Sequence, residues 1–245
     1  MSTPVMLITG GSRGIGAATA KLAAQRGYDV AFTYMRDAAA AQRVADEVKA
    51  LGRKALAIQA DLGQEADVLR TFARVDEEFG PPASLVYNCA ITGKTSRLDE
   101  VDTATVREVV EVNLIGAILC AREAVKRMSV QHGGAGGTIV LISSRATAYG
   151  SAGEYVWYAA SKGGVDSLNI GLAREVGREG IRVNAISPGP IETDMHRPGR
   201  LARVVPNNPM ARAGTAHEVA EAVMFLAGSA SSYINGANLS ISGGL

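Results

Sequence analysis

The chain's 245 residues are enough to enclose a sizeable core in one α/β unit. Its 25 basic and 24 acidic residues are spread along the sequence and leave a net charge of +1, which argues against nucleic acid or a membrane surface as a partner. Cys89 and Cys120 sit in apolar stretches without CxxC spacing, and His132, His196 and His217 are too widely separated to read as metal ligands. With no leader-like stretch before Met6 and no apolar run of membrane-spanning length, the expectation is a soluble, cytoplasmic, metal-independent protein.

In chain order, residues 5–8 form a short apolar strand that runs into Thr9-Gly10-Gly11-Ser12-Arg13-Gly14-Ile15-Gly16 and then into good helix-forming sequence. Strand, glycine turn and helix start in that order make a phosphate cradle. The glycines let the backbone approach a pyrophosphate, and the free N–H groups of the helix N-terminus face the anion. The alternative is a plain glycine-rich turn between strand and helix. The alternation then repeats, with a strand at 29–34, a helix at 37–51 closed by Gly52, a strand at 55–59 and a helix at 64–79. A strand at 84–87 leads into Asn88, a long helix spans 103–128 with Asn113 in its middle, and a fifth strand covers 138–143. A helix carrying Tyr158, a strand at 182–187, a helix at 216–228 and a last strand at 238–242 complete the series.

Strands separated by helices predict a single-domain, Rossmann-type doubly wound α/β fold, a seven-stranded parallel sheet with helices on both faces. Ligands bind beyond the carboxyl ends of such strands, where Gly10 to Gly16, Asp61, Asn88, Ser144 and Pro188-Gly189 all fall. Residues 190–215 are the one long irregular stretch, with Pro198, Pro206, Pro209 and scattered arginines, and are read as a substrate lid.

The chemistry centres on Tyr158-Ala159-Ala160-Ser161-Lys162. Positions i and i+4 share a helix face, which sets a phenol beside an ammonium. A nearby positive charge favours the phenolate and lowers the phenol's pKa towards the range useful for proton transfer. Ser144, fourteen residues upstream, would polarise a carbonyl oxygen if the fold brings it to the phenol. A tyrosine and a lysine on an exposed helical face is the alternative.

Taken together, residues 9–16, Asp61-Leu62, Asn88, Asn113, Ser144, Tyr158-x-x-x-Lys162 and Pro188-Gly-x-x-x-Thr193 resemble the short-chain dehydrogenase/reductase family, and the resemblance runs from about Val5 to Leu245. Within that family the chain is similar to bacterial glucose-1-dehydrogenase-like and 3-oxoacyl-carrier-protein-reductase-like members. The resemblance implies that Tyr158 is the proton donor in ketone reduction and the base in alcohol oxidation. It implies that Lys162 lowers the phenol's pKa and holds the nicotinamide ribose, and that Ser144 bonds the substrate oxygen while Ser143 ends the strand. Asn113 would anchor a water near the lysine, or else bend into a mid-helix hydrogen bond. Asp61 would accept from the adenine amine, or else cap the following helix. Gly10, Ser12, Arg13, Gly14, Ile15, Gly16, Leu62, Asn88, Ala90, Pro188, Gly189, Ile191 and Thr193 would complete the cofactor contacts.

Two features depart from the family pattern. Ala90 replaces a glycine near the cofactor, and the spacing from Ser144 to Tyr158 is one residue longer than is common. Trp157 reads as packing or a subunit contact. The walls of a substrate pocket would be Ala146, Glu154, Tyr155, Gly189 and Met195.

The cofactor expected is NADP(H). Tyr34 stands where an NAD-binding turn usually carries an acid, and Arg13 and Arg36 are placed to meet a 2′-phosphate. The alternative is that Arg36 pairs with Asp37 and Arg13 is solvated. The activity expected is hydride transfer between NADP(H) and a ketone, aldehyde or alcohol, in a homotetramer. The rivals are a non-catalytic NADP(H)-sensing regulator on the same fold and a sugar-nucleotide epimerase or dehydratase.

Overall fold

The computed structural model describes residues 3–195 and 197–245. His196, one of the three histidines noted above, lies outside the described residues, as do Met1 and Ser2. The elements run β1 (Val5–Ile8), α1 (Gly14–Gln25), β2 (Asp29–Tyr34), α2 (Ala38–Ala50), β3 (Ala55–Gln59), α3 (Glu65–Phe79) and β4 (Ser84–Tyr87). They continue through α4 (Thr103–Val110), α5 (Gly116–Met128), β5 (Gly137–Ile142), α6 (Ala146–Tyr149), α7 (Val156–Val176) and β6 (Ile181–Pro188). Then come β7 (Ile191–Glu192), α8 (Arg200–Val204), β8 (Gly214–Thr215), α9 (Ala216–Ala227) and β9 (Asn238–Ile241).

Seven strands form one parallel sheet in the order β3-β2-β1-β4-β5-β6-β9. Side chains alternate across each strand, so both faces must be apolar in a sheet covered on both sides. Met6 and Ile8 of β1, with Val140 and Ile142 of β5, face a core shared with α1, α2 and α9. Val5 and Leu7, with Ile139 and Leu141, face the opposite core with α3, α5 and α7. The doubly wound, single-domain architecture expected from the alternation is the one observed. No helix among the described residues is long and apolar enough to cross a membrane.

Two stretches differ from the sequence reading. The long helix is interrupted by a π turn over Glu111–Ile115, and Asn113 sits fully buried within it. Local π turns of this kind often mark functional positions. The stretch read as irregular is partly ordered. β7 and β8 pair in parallel at its two ends, and α8 lies between them. Two-residue strands and a five-residue helix are too short to leave a periodic signal.

Candidate active site

The sheet order reverses between β1 and β4, and the crevice beyond their carboxyl ends is where ligands bind in such folds. Thr9 and Asn88 tie its two walls together. Thr9 Oγ1 accepts from the main-chain N–H of Asn88 and of Cys89, each at 2.9 Å. Asn88 Nδ2 donates to the carbonyls of Thr9 and Gly10 at 3.0 Å. Asn88 therefore braces the glycine turn. A Cβ on Gly16 would lie 2.2 Å from Gly10 O and 2.8 Å from Asn88 Nδ2, so only glycine fits between turn and helix. Gly10 and Gly14 hold φ of +65° and +53°, which glycine adopts without strain. A Cβ on Gly14 would come within 3.3 Å of Thr193 Cγ2, so the segment after Pro188 reaches across onto the turn. Arg13 occupies the N-cap of α1 without a side-chain capping bond, so no side chain competes with an anion for the first-turn N–H groups.

On the β2 side, Tyr34 ends its strand half-buried, and Arg13 and Arg36 are exposed. Among the described residues neither arginine pairs with a carboxylate. Asp37 instead caps α2, accepting from Ala40 N at 2.8 Å, so the pairing of Arg36 with Asp37 is absent. Asp61 is not a helix cap either. Its Oδ1 accepts from Gly63 N at 3.0 Å, its own N–H donates to Asp67 Oδ2 at 2.8 Å, and α3 begins after Gln64. Leu62 is buried, and its carbonyl packs against Gly116 at the start of α5.

Ser144, Tyr158 and Lys162 line one cleft of about 910 Å³, together with Ile15, Asn88, Ala90, Pro188, Gly189, Ile191 and Thr193. The Ser144 hydroxyl accepts from Ala146 N at 3.1 Å and acts on the Tyr158 phenol in the direction of a lower pKa. Between the two lie α6 and a turn in which Gly150, Ser151 and Gly153 all have positive φ. Tyr158 is buried, edge-on to Tyr155 with ring centroids 5.4 Å apart.

The phenol does not behave as the spacing alone suggests. Burial raises its pKa above the ordinary tyrosine value, and Ser144 and Arg200 only partly offset this. Lys162 lies 6.0 Å from the Tyr158 ring and donates instead to Ile142 O at 2.6 Å. Burial brings its own pKa down to about 8. Two groups sharing a helix face in a water-poor cleft each disfavour their charged form, and here that outweighs their mutual attraction.

The Asn113 side chain is held by three hydrogen bonds. Its Oδ1 accepts from Ile91 N at 2.8 Å, and its Nδ2 donates to Ile91 O at 2.9 Å and to Ser161 Oγ at 3.0 Å. The side chain is spent on fastening the segment after β4 to α7. Trp157 is buried and donates to Thr92 O at 2.9 Å, a packing role within the chain.

All five wall residues named from the sequence line the cleft. Sequence reasoning missed Arg145, Tyr149, Arg200 and Arg203, which line it too. Arg200 Nη2 lies 3.1 Å from Glu154 Oε2, and Arg203 pairs with Glu154 Oε1. Burial pushes the Glu154 carboxyl up, but the two guanidiniums outweigh it and hold it below the usual value. Burial also pushes Tyr155 up to about 12. The scattered arginines of residues 190–215 were the only sequence signal for this cluster. Among the described residues no group of three His, Cys, Asp or Glu side chains gathers as metal ligands would.

A braced glycine turn at the switch point of a parallel sheet, opening on a cleft with Ser144, Tyr158 and Lys162, defines a Rossmann-type protein built to take a dinucleotide. Residues 10–245 match the protein family described as Enoyl-(Acyl carrier protein) reductase. The chain is 46% identical over 244 residues to "Uncharacterized oxidoreductase YgfF" of Escherichia coli (strain K12), covering 98% of this chain and 99% of that one. It is 39% identical over 241 residues to the 3-oxoacyl-[acyl-carrier-protein] reductase of Mus musculus, covering 98% and 97%. A short-chain dehydrogenase from Burkholderia cenocepacia J2315, solved in complex with NADP, superposes with a TM-score of 0.91 at 38% identity, covering 99% and 98%. The chain belongs to the short-chain dehydrogenase/reductase family of oxidoreductases.

Proposed function

We propose that this chain reduces a ketone or aldehyde with NADPH, or runs the reverse alcohol oxidation with NADP⁺. The observation that carries the reading is the gathering of Ser144, Tyr158 and Lys162, the last two one helical turn apart, on the wall of one 910 Å³ cleft. The residues present fit a nicotinamide dinucleotide: the uncapped start of α1 and the positive-φ glycines form a cradle, and Thr193 meets it from the far wall. The relative solved with NADP supports the same cofactor. Gly10, Ser12, Arg13, Gly14, Ile15 and Gly16 would hold the pyrophosphate, and Tyr34, Arg36, Asp61 and Leu62 the adenosine half. Asn88, Ala90, Lys162, Pro188, Gly189, Ile191 and Thr193 would hold the nicotinamide half.

When bound, the nicotinamide supplies or accepts the hydride. The protein's part is proton transfer and positioning. Ser144 holds the carbonyl oxygen, and the Tyr158 hydroxyl donates its proton to that oxygen as the C–O bond becomes an alcohol. Lys162, charged below about pH 8, stabilises the phenolate left behind. Asn113 is a positioning residue, fastening α7 so that Tyr158 and Lys162 keep their place. The segment 190–215, latched to Glu154 through α8, acts as a substrate lid.

The test is a scan of ketones, aldehydes and oxoesters for loss of NADPH absorbance, with consumption expected for a subset. NADPH binding without consumption of cofactor by any carbonyl would return the chain to the sensor reading. Assembly is the companion expectation. Ile118 on α5 and Ile170 on α7 are 40% and 46% exposed, on surfaces turned away from the sheet. Pairing of these helix faces across two-fold axes, with a second contact at Gly243-Gly244-Leu245, gives a homotetramer. Light scattering should report four chain masses, and a monomer at working concentration would refute it.

A further inference from the structure

Among the described residues, the cleft is lined by Arg145, Arg197, Arg200, Arg203 and Lys162 against a single carboxylate side chain, Glu154. Three of these cations have partners. Arg200 and Arg203 engage Glu154, and Lys162 donates to Ile142 O. Arg145 is not. It pairs with no acid among the described residues, and its Nε is enclosed yet hydrogen-bonds to nothing. An enclosed N–H without an acceptor is costly, and native structures rarely leave one so.

Arg145 is also well placed. It follows Ser144 directly, and its main-chain N–H donates to Pro188 O at 2.9 Å, which fixes it between the two walls of the cleft. Its guanidinium carbon lies 5.8 Å from the Tyr149 ring centroid, so the ring face restrains the plane of the fork. The phosphates of a dinucleotide are assigned to the glycine turn, Arg13 and Arg36, so none of them requires Arg145. A preset guanidinium fork with a free N–H suits a planar acceptor with two oxygens.

We propose that the substrate is an oxoacid, whose carboxylate is held by Arg145 while its carbonyl oxygen lies at Ser144 and Tyr158. This rests on reading the cleft as a carbonyl-reduction site. Arg197, exposed at the rim, adds a positive field that draws an anion inward.

The test uses three matched pairs that differ only in charge: pyruvate and methyl pyruvate, acetoacetate and methyl acetoacetate, levulinate and methyl levulinate. Binding of each to the NADP⁺-loaded protein is measured by calorimetry, so that no turnover intervenes. A charged hydrogen bond predicts that, at one spacing or more, the acid binds about 10- to 100-fold tighter than its ester. In Arg145→Met the pair should converge to within about threefold on the same reasoning. Arg145→Lys, which keeps the charge but loses the fork, should fall between. NADP⁺ affinity of each variant reports folding, and if the Met variant does not fold the Lys variant decides. Equal binding of acid and ester by the wild type in all three pairs overturns the proposal, as does an acid preference that survives loss of the guanidinium. Turnover of the six compounds with NADPH tests the reductase reading separately. Esters reduced without any acid preference sink the oxoacid alone, and acids bound selectively but never reduced sink the reductase alone.

Discussion

Replacing Tyr158 by phenylalanine is expected to lower turnover by about 10²–10⁴-fold, the usual loss for a positioned acid–base group, while NADPH binding persists. The substitution removes one oxygen and leaves the ring edge-on to Tyr155, so the cleft keeps its shape. What disappears is the proton. Burial raises the phenol's pKa, so the group is protonated throughout the neutral range. The sign of the pH dependence follows. Reduction uses the protonated phenol and holds its rate through neutral pH. Oxidation uses the phenolate and climbs with pH until Lys162, with its pKa of about 8, gives up the charge that stabilises it. Turnover of a carbonyl found in the scan, set against NADPH affinity by fluorescence titration, checks the mutant. Near-normal turnover in Tyr158→Phe, or oxidation that falls with rising pH below about pH 8, would remove Tyr158 from the role.

The parts legible in the sequence are those written locally. β1, β2, β3 and β4 fall where their apolar runs and flanking turn residues put them, because a strand buried on both faces needs little besides an apolar run of the right length. The glycine turn was legible for the same reason: positive φ at Gly10 and Gly14 is a demand that glycine meets within its own residue. The parts not legible depend on partners far away in the chain. Asn113 reads as a polar residue in mid-helix, but its hydrogen bonds go to Ile91 and Ser161, which only the tertiary fold brings near. The depth of Tyr158 and Lys162 is likewise collective. Spacing shows that they share a face, and only packing shows that burial governs their charge. Arg145 carries no periodic or motif signal, and its isolation from acids appears only once the cleft is assembled.

The cofactor preference is the other large effect, expected at about 30- to 1,000-fold for NADPH over NADH in kcat/KM. Tyr34 ends β2 with no carboxylate, so nothing there repels a 2′-phosphate. Arg13 and Arg36 are both exposed, and neither is claimed by an acid among the described residues. Asp37, the nearest competitor for Arg36, is committed to the N-cap of α2. A guanidinium free of an intramolecular partner keeps its full hydrogen-bonding capacity for a phosphate. Each charged contact is worth roughly 1.5–3 kcal/mol, and exposure to salt trims the pair to about 2–4 kcal/mol. That range converts to the stated preference. Arg36→Ala should erode the ratio through NADPH while leaving NADH kinetics nearly unchanged, because NADH brings no phosphate to that place. The preference should also weaken as ionic strength rises, since both contacts lie at the surface. Steady-state kinetics with both cofactors, in wild type, each single variant and the Arg13→Ala/Arg36→Ala double variant, measure all of this. A wild-type preference for NADH, or a ratio unchanged in the double variant, would show that the 2′-phosphate is not read by these arginines.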